Sequence, residues 1–174
     1  MGSTTTPETE NHHGAETLGI RMRIGRGATD KFLSFDLHSQ AHAIPILKVK
    51  EIIRMMRITP LPHAAGYVRG IVNLRGKVIP VLDMRSKFGF PPADDSKRTC
   101  IVVTQVDGGK NVRQVGLVVD QVDEVLNIPP ESIEVLPQVD AHQRDLRGVG
   151  KIGDRVVLIV DIDGILGEDH GIGV

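Results

Sequence analysis

One stretch of the sequence occurs twice. Residues 69–89 (RGIVNLRGKVIPVLDMRSKFG) align without a gap with residues 147–167 (RGVGKIGDRVVLIVDIDGILG). Both copies contain an apolar run of strand length followed directly by an aspartate, Asp83 in the first copy and Asp161 in the second. Two copies of one strand–turn–strand unit indicate two similar lobes. The chain therefore has to bury two related β-structures.

The repeat also extends upstream of this stretch. Residues 49–53 (VKEII) correspond to residues 122–126 (VDEVL), and the polar connection 138–146 absorbs the extra residues of the second copy. Residues 46–56 fit both a helical stripe and one face of a strand. Because the corresponding second-copy segment follows the strand-like residues 116–120, we favour a short turn and then extended structure, with the helix kept as the alternative.

Composition narrows the fold and the function classes. Hydrophobic residues make up 40% of the chain but aromatic residues only 3%, so Val, Ile and Leu must fill the core, which favours strands. The formal net charge is -1 and there is no basic block, which argues against nucleic-acid binding. A single cysteine, Cys100, fits a reducing cytoplasm, and the sequence shows neither a secretory signal nor a membrane-spanning apolar run. We therefore predict a β-rich protein of the cytoplasm.

The chain divides into a leader, one ordered domain and a short tail. Residues 1–28 lack an apolar period and are predicted to be a mobile leader. Residues 29–167 form the domain, with lobes of roughly 29–92 and 93–167, and residues 168–174 are the tail. Alternating or continuous apolar runs predict strands, Gly-rich or polar segments predict turns, and the paired prolines predict loops or a helical turn. The strands are expected at 32–37, 41–44, 99–104 and 115–119, the turns at 38–40 and 107–110, the loop at 91–96 and the helical turn at 129–133. Together these features predict an all-β fold of two small, closed, antiparallel barrels packed together, with minor helical turns.

Four segments resemble one known family. They are residues 43–54 (AIPILKVKEIIR), 67–83 (YVRGIVNLRGKVIPVLD), 116–120 (GLVVD) and 124–126 (EVL), in an order and spacing similar to those of the CheW family of chemotaxis coupling proteins. The resemblance runs from about residue 32 to residue 167. It implies two intertwined five-stranded barrels, no catalytic activity and no cofactor. One departure is His42, where the family often has an aromatic residue.

The resemblance also implies partners and a site. Family members are adaptors that bind the cytoplasmic tips of transmembrane chemoreceptors and the regulatory domain of the histidine kinase CheA. They are recruited to membrane-associated receptor arrays and assemble into rings or arrays. Arg75, on a tight turn, is the leading candidate, because its guanidinium has five donors for carboxylates or carbonyls, and Glu51 is its candidate partner. The other candidate partner-binding residues are Val49, Gly70, Gly76 and Gly116.

The residues allow two alternative functions to be compared with this one. Asp161 and Asp163 lie two residues apart, so on an extended strand they would share a face and chelate a divalent cation, as in a small metal-assisted hydrolase. Asp161 is the copy of Asp83, and a capping or turn role after an apolar strand explains both residues more simply. A nucleic-acid-binding barrel is disfavoured by the charge and the few aromatic residues. Cys100 lies in an apolar run and is predicted to be a buried, inert thiol.

Overall fold

The structure is a computed structural model, and it describes residues 30–107, 112–137 and 145–167. The predicted leader, the C-terminal tail, the centre of the 107–110 turn and most of the 138–146 connection lie outside these ranges.

The described chain is mostly β-structure. Its strands are β1 (Lys31–Leu37), β2 (Gln40–Pro45), β3 (Val49–Arg54), β4 (Val68–Leu74), β5 (Lys77–Asp83), β6 (Cys100–Asp107), β7 (Val112–Val119), β8 (Gln121–Asn127), β9 (Ile133–Glu134), β10 (Leu146–Ile152) and β11 (Arg155–Val160). Two short helices, α1 (Met84–Lys87) and α2 (Ile162–Gly167), and two 3₁₀ turns, Ile46–Lys48 and Pro130–Ser132, complete the described elements. The extended reading of the segment after residue 48 and the helical turn after Pro129 are confirmed.

The strands form two sheets, and each sheet takes strands from both sequence copies. Sheet A has the order β3-β6-β7-β5-β4, and sheet B has the order β8-β1-β2-β11-β10-β9. The hairpin β1–β2 of the first half (residues 30–92) therefore sits among strands of the second half (residues 93–167), and the hairpin β6–β7 sits among strands of the first. The two lobes, lobe A and lobe B, are built around these two sheets.

Three details of the predicted barrels are wrong, the first being the strand number, since sheet A has the five strands expected but sheet B has six. Each sheet contains one parallel pair, β5–β7 in sheet A and β2–β11 in sheet B, so the sheets are mixed rather than antiparallel. The sheets are also not closed barrels, since their outermost strands do not pair with each other in the described structure. Pro60 and Pro62 follow β3, and Pro129 and Pro130 follow β8. Beyond these strands the pairing is brief: Thr59 makes one isolated antiparallel bridge to Ile71 of β4, and the two-residue strand β9 pairs with β10.

Neighbouring residues on the central strands face two different cores. In β6, Ile101 packs with the cluster inside sheet A, whereas Val102 packs with the large cluster between the two sheets. In β1, Phe32 packs inside sheet B and Leu33 packs between the sheets. Strands that are covered on both faces need apolar residues at successive positions. This explains why the sequence shows continuous Val- and Ile-rich runs instead of strict alternation.

The repeated stretch has the same local structure in both copies. The hairpins β4–β5 and β10–β11 each contain a register shift next to a glycine, Gly70 or Gly148. The aspartate that follows each hairpin caps the next helix: Asp83 Oδ1 accepts a hydrogen bond from Ser86 N at 3.2 Å, and Asp161 Oδ1 accepts one from Gly164 N at 3.1 Å. The predicted capping role of both aspartates is confirmed.

Candidate functional site: a charged turn on lobe A

Arg75 lies at the tip of the two-residue turn that joins β4 to β5. Arg75 has φ +52° and Gly76 has φ +83°, the signs that a type I′ hairpin turn requires at its two central residues. Asn73 Oδ1 accepts a hydrogen bond from Gly76 N at 3.0 Å, which fixes the turn from inside. Gly76 therefore provides turn geometry, and the turn presents the Arg75 side chain with a defined direction.

Glu51 holds the Arg75 guanidinium with two hydrogen bonds. Arg75 Nη1 donates to Glu51 Oε1 at 2.6 Å, and Arg75 Nη2 donates to Glu51 Oε2 at 2.7 Å. Such fork-to-fork pairs are short and directional. The hydrogen bonds that Arg75 donates to Glu51 raise the pKa of Arg75 above its ordinary value, so the guanidinium stays charged. The structure thus brings together the two residues that the sequence analysis paired.

A β-bulge aims Glu51 at the turn. The register between β3 and β6 shifts between Val49 and Glu51, so that one extra residue of β3 is accommodated at this point. Bulges bend a strand and redirect the side chains beside them. Glu51 is mostly buried, with 20% of its side chain exposed, whereas the Arg75 side chain is 62% exposed. The buried partner fixes the exposed one, and the face of Arg75 that Glu51 does not cover is open to a binding partner.

The other predicted site residues lie inside the fold. Val49 is 4% exposed and belongs to the core between the sheets, so its side chain does not line an open groove. Gly116 lies in the middle of β7, where an added Cβ would come within 2.8 Å of Ile101 Cγ2. Gly70 has φ +147°, and its missing Cβ leaves room for the carbonyl group of Thr59. The geometry gives these three residues structural roles, and only Arg75 and Glu51 form a surface feature.

Lobe B carries a related but looser arrangement. The position that matches Arg75 is Gly153, and the cation comes instead from Arg155, two residues further along. Arg155 contacts Glu124 at 3.2 Å and Asp123 at 3.4 Å, one nitrogen to each carboxylate. All three side chains are about half exposed. Sequence analysis did not predict this pair, although Arg155 aligns with Lys77 and Glu124 aligns with Glu51.

A second feature that sequence analysis missed is a polar and aromatic junction where the lobes meet. Arg85 Nε and Nη2 each donate to one carboxylate oxygen of Asp120 at 2.6 Å, and Asp120 Oδ2 accepts a hydrogen bond from His38 N at 2.8 Å. Burial acts to raise the pKa of Asp120, but the hydrogen bonds from Arg85 and His38 outweigh it, so the pKa lies below its ordinary value. Arg85 also donates to the carbonyl oxygen of Pro91 at 3.0 Å. Through these contacts, Pro91, where the segment between the two halves begins, is connected to the turn at His38 and to Asp120 at the end of β7.

His42, the position at which the resemblance implied an aromatic residue, packs against aromatic rings. It is 1% exposed, and its ring lies 5.9 Å from the Phe35 ring and 5.5 Å from the Phe88 ring, centroid to centroid. Its Nδ1 lies 2.9 Å from the carbonyl oxygen of Gln40. Burial lowers the pKa of His42, although the hydrogen bond to Gln40 opposes this effect. The neutral imidazole therefore fills a space that suits a flat ring.

Comparison with known proteins decides the family. The model of the CheW-like domain matches residues 31–170, which is most of the chain. The chain belongs to the CheW-like domain family.

Curated relatives agree with this family over nearly their whole length. The chemotaxis protein CheW of Rhizobium meliloti is 34% identical over 142 residues, which are 80% of this chain and 89% of the relative. The chemotaxis protein CheW of Klebsiella aerogenes is 33% identical over 153 residues, which are 87% of this chain and 90% of the relative. Among solved structures, the scaffolding protein TtCheW from Thermoanaerobacter tengcongensis matches with a TM-score of 0.72 at 31% identity, covering 79% of this chain and 92% of that one.

The CheW-like fold does not present the metal site considered for Asp161 and Asp163. That site required an extended strand, but helix α2 begins at Ile162 and separates the two side chains. Asp161 caps the helix, and Asp163 pairs with Lys48 Nζ at 2.9 Å. Within residues 30–107, 112–137 and 145–167, no three His, Cys, Asp or Glu side chains are grouped as metal ligands. The geometric premise of the hydrolase hypothesis is therefore wrong.

The Cys100 thiol is buried, as the sequence analysis predicted. Cys100 is 2% exposed, and burial raises the pKa of its thiol to about 11, so the reactive thiolate is scarce near neutral pH.

No helix in the part of the chain that the structure describes is long and apolar enough to cross a membrane.

Proposed function

We propose that this chain is a chemotaxis scaffold that couples transmembrane chemoreceptors to a CheA-type histidine kinase by protein–protein contacts, without catalysing a reaction. The observation that carries the proposal is the exposed, rigidly held Arg75 on a chain of the CheW-like family. Curated relatives bear the name chemotaxis protein CheW, and a solved relative is described as a scaffolding protein.

The partners under this proposal are the cytoplasmic tips of the chemoreceptors and the regulatory domain of the kinase. Arg75 offers a planar cation whose direction is set by Glu51 before binding. A carboxylate or a set of carbonyl oxygens on a partner is the chemical complement of such a group. Because a preorganised side chain loses little conformational freedom on binding, it suits a residue that contributes strongly to an interface.

Control of the kinase requires more than binding. A scaffold transmits a receptor signal only if it contacts the two states of the kinase differently. The contacts of Arg75 are polar and directional, so they are sensitive to small changes in the placement of a partner. Under this proposal the protein works in the cytoplasm, is recruited to receptor arrays and takes part in ring or array assembly.

The test is reconstitution of receptor fragment, kinase and this protein, with the variants Arg75→Ala and Arg155→Ala in parallel. Arginines at the centre of an interface often dominate its affinity, so we expect Arg75→Ala to weaken assembly and kinase control roughly tenfold or more. Arg155→Ala removes a similar group from the corresponding region of lobe B, and we expect it to change assembly less than about twofold. The measurements are the amount of kinase that remains bound in the assembly and the rate at which the kinase is phosphorylated.

Two results would contradict the proposal. If Arg75→Ala lowers the melting temperature markedly, the arginine is a structural residue. If both variants bind receptor and kinase as wild type does, the charged turn is not the coupling surface. Thermal unfolding of each variant, recorded beside the binding assay, separates these cases.

A further inference from the structure

A single backbone segment links the two halves of the chain, whereas many strand pairs and core contacts join them. We propose that the fold is a fused, strand-exchanged pair of halves, and that a second copy of this chain can supply the second half, giving a dimer with two complete units. This inference concerns assembly and goes beyond the coupling function.

Strand pairing between the halves supports this proposal. Strand β1 of the first half pairs with β8 of the second, and β3 pairs with β6. The two parallel pairs, β5–β7 and β2–β11, also join one half to the other. Neither half contains a complete sheet, so each half alone would expose the edges of the hairpin and strands that it contributes. A half that meets the complementary half of another chain makes the same pairs.

The main core is shared in the same way. The cluster between the sheets contains Phe35 and Leu82 from the first half together with Val102, Leu117 and Val160 from the second, each at most 2% exposed. Separating the halves would expose this apolar surface to water. Exchange between two chains restores the surface completely, because every buried contact has an identical counterpart in the second copy.

The covalent link between the halves is an exposed segment. Residues 91–98 are exposed, and they begin with Pro91 and Pro92, which hold the backbone extended. Side-chain contacts to this segment include the ion pair of Arg69 with Asp95 and the hydrogen bond from Arg85 to the Pro91 carbonyl oxygen. Exposed hinge segments of this kind allow an identical element to be exchanged between protomers at little cost.

An exchanged dimer would keep the candidate site. Glu51 and Arg75 both belong to the first half, so their ion pair does not depend on which chain supplies the second half. The contact between Arg85 and Asp120, in contrast, joins the two halves. In the dimer this contact would form between chains, and each dimer would display two Arg75 turns.

The test is complementation between two full-length variants that each fail to fold alone. Leu33→Asp places a charge in the part of the core that the first half of the chain contributes. Leu117→Asp does the same in the part that the second half contributes, and both leucines are at most 1% exposed. When the two variants are refolded together, the unit made from the two undamaged halves is wild type. We expect a species of twice the chain mass whose folded signal is about half that of wild type, because one unit in two is intact.

The matched control pairs Leu33→Asp with Ile44→Asp, which are both in the first half, so no exchange can produce an intact unit. A second measurement uses the wild-type chain with two different affinity tags, unfolded and refolded as a mixture at high concentration. We expect a dimer that carries both tags, absent when the two proteins are mixed after folding. The proposal is overturned if the complementing pair yields no more folded dimer than the control pair, or if the refolded wild-type mixture contains no two-tag dimer.

Discussion

Lobes A and B have the same architecture but place their charges differently. In lobe A the cation projects from a turn in which both central residues have positive φ, and a largely buried carboxylate holds it with two short hydrogen bonds. In lobe B the cation lies on the strand after the turn and makes one longer contact to each of two exposed acids. The bulge beside Glu51 and the bulge beside Glu124 are otherwise alike.

This comparison separates what the fold needs from what the site needs. The bulges, glycines and capping aspartates occur in both lobes, so they belong to the scaffold. The preorganised arginine occurs at one of the two equivalent turns, so such a turn can form without it, which supports the recognition role proposed for Arg75. The predictions below test this division.

The largest expected effect concerns the glycines that pack against a backbone carbonyl. An alanine Cβ at position 70 would overlap the carbonyl oxygen of Thr59, and φ there is +147°; at position 148 it would overlap the carbonyl oxygen of Glu134 without the positive φ. We expect Gly70→Ala to lower the free energy of unfolding by about 2–3 kcal/mol and Gly148→Ala by about 1–2 kcal/mol. Denaturant unfolding measures both.

Gly76→Ala is the control for strain without overlap. Its φ is +83°, but no atom lies within 4 Å of the Cβ it would gain. We expect a loss of about 1 kcal/mol, the cost of a left-handed non-glycine residue. A loss at position 76 as large as that at position 70 would show that the packing against Thr59 is not what requires a glycine there.

A smaller effect is expected at the bulge of lobe B. Ser34 is 1% exposed; its hydroxyl donates to the carbonyl oxygen of Glu124 at 2.9 Å and accepts from the Glu124 N–H at 3.2 Å. Ser34→Ala leaves both backbone groups of Glu124 without this partner, so we expect a loss of about 1–2 kcal/mol in unfolding free energy. Lobe A has Val103 at the corresponding position, where it is the register partner of Glu51 and has no hydroxyl group. Ser39→Ala, in an exposed turn, should be nearly neutral, and equal losses for the two serines would refute this role.

The smallest effect is a dependence on pH through His42. Because burial lowers the pKa of His42 in the folded state, the folded protein binds fewer protons than the unfolded chain. The stability that this group contributes is present above the ordinary titration range of histidine, roughly pH 6–7, and is lost as the pH falls below it. We expect His42→Phe to reduce the drop in melting temperature between pH 7 and pH 5, roughly the range over which unfolded histidine becomes charged. An unchanged drop would contradict this account. The corresponding position in lobe A is the buried Val115, which has no such dependence.

The local structure was predicted well from the sequence, because each of the residue patterns used has a single physical explanation. The repeated aspartate predicted the caps, and the second copy of residues 49–53 correctly favoured a strand over a helix. Such patterns could not predict the parallel pairs β5–β7 and β2–β11. When both faces of an apolar strand are buried, its composition is the same whether its neighbours are parallel or antiparallel. Closure of the barrels was predicted from the short strands, the frequent Gly and Pro residues and the duplicated unit, and these patterns do not show whether the outermost strands of a sheet pair with each other.

The site was predicted in part for similar reasons. Arg75 was identifiable because a tight Leu-Arg-Gly turn exposes its central residue, and Glu51 was named as its partner. The burial of Val49 was not evident from the sequence, because sequence position alone does not show which face of β3 meets the core. The junction of Arg85, Asp120 and His38 joins residues up to 82 positions apart, and no spacing rule connects them.

The most direct test of the central claim is amide hydrogen exchange on the protein alone and in the assembly with receptor fragment and kinase. The account predicts that assembly slows exchange at residues 73–77, around the Arg75 turn, and leaves the corresponding residues 151–155 of lobe B much less affected. Protection of 151–155 without protection of 73–77 would contradict it.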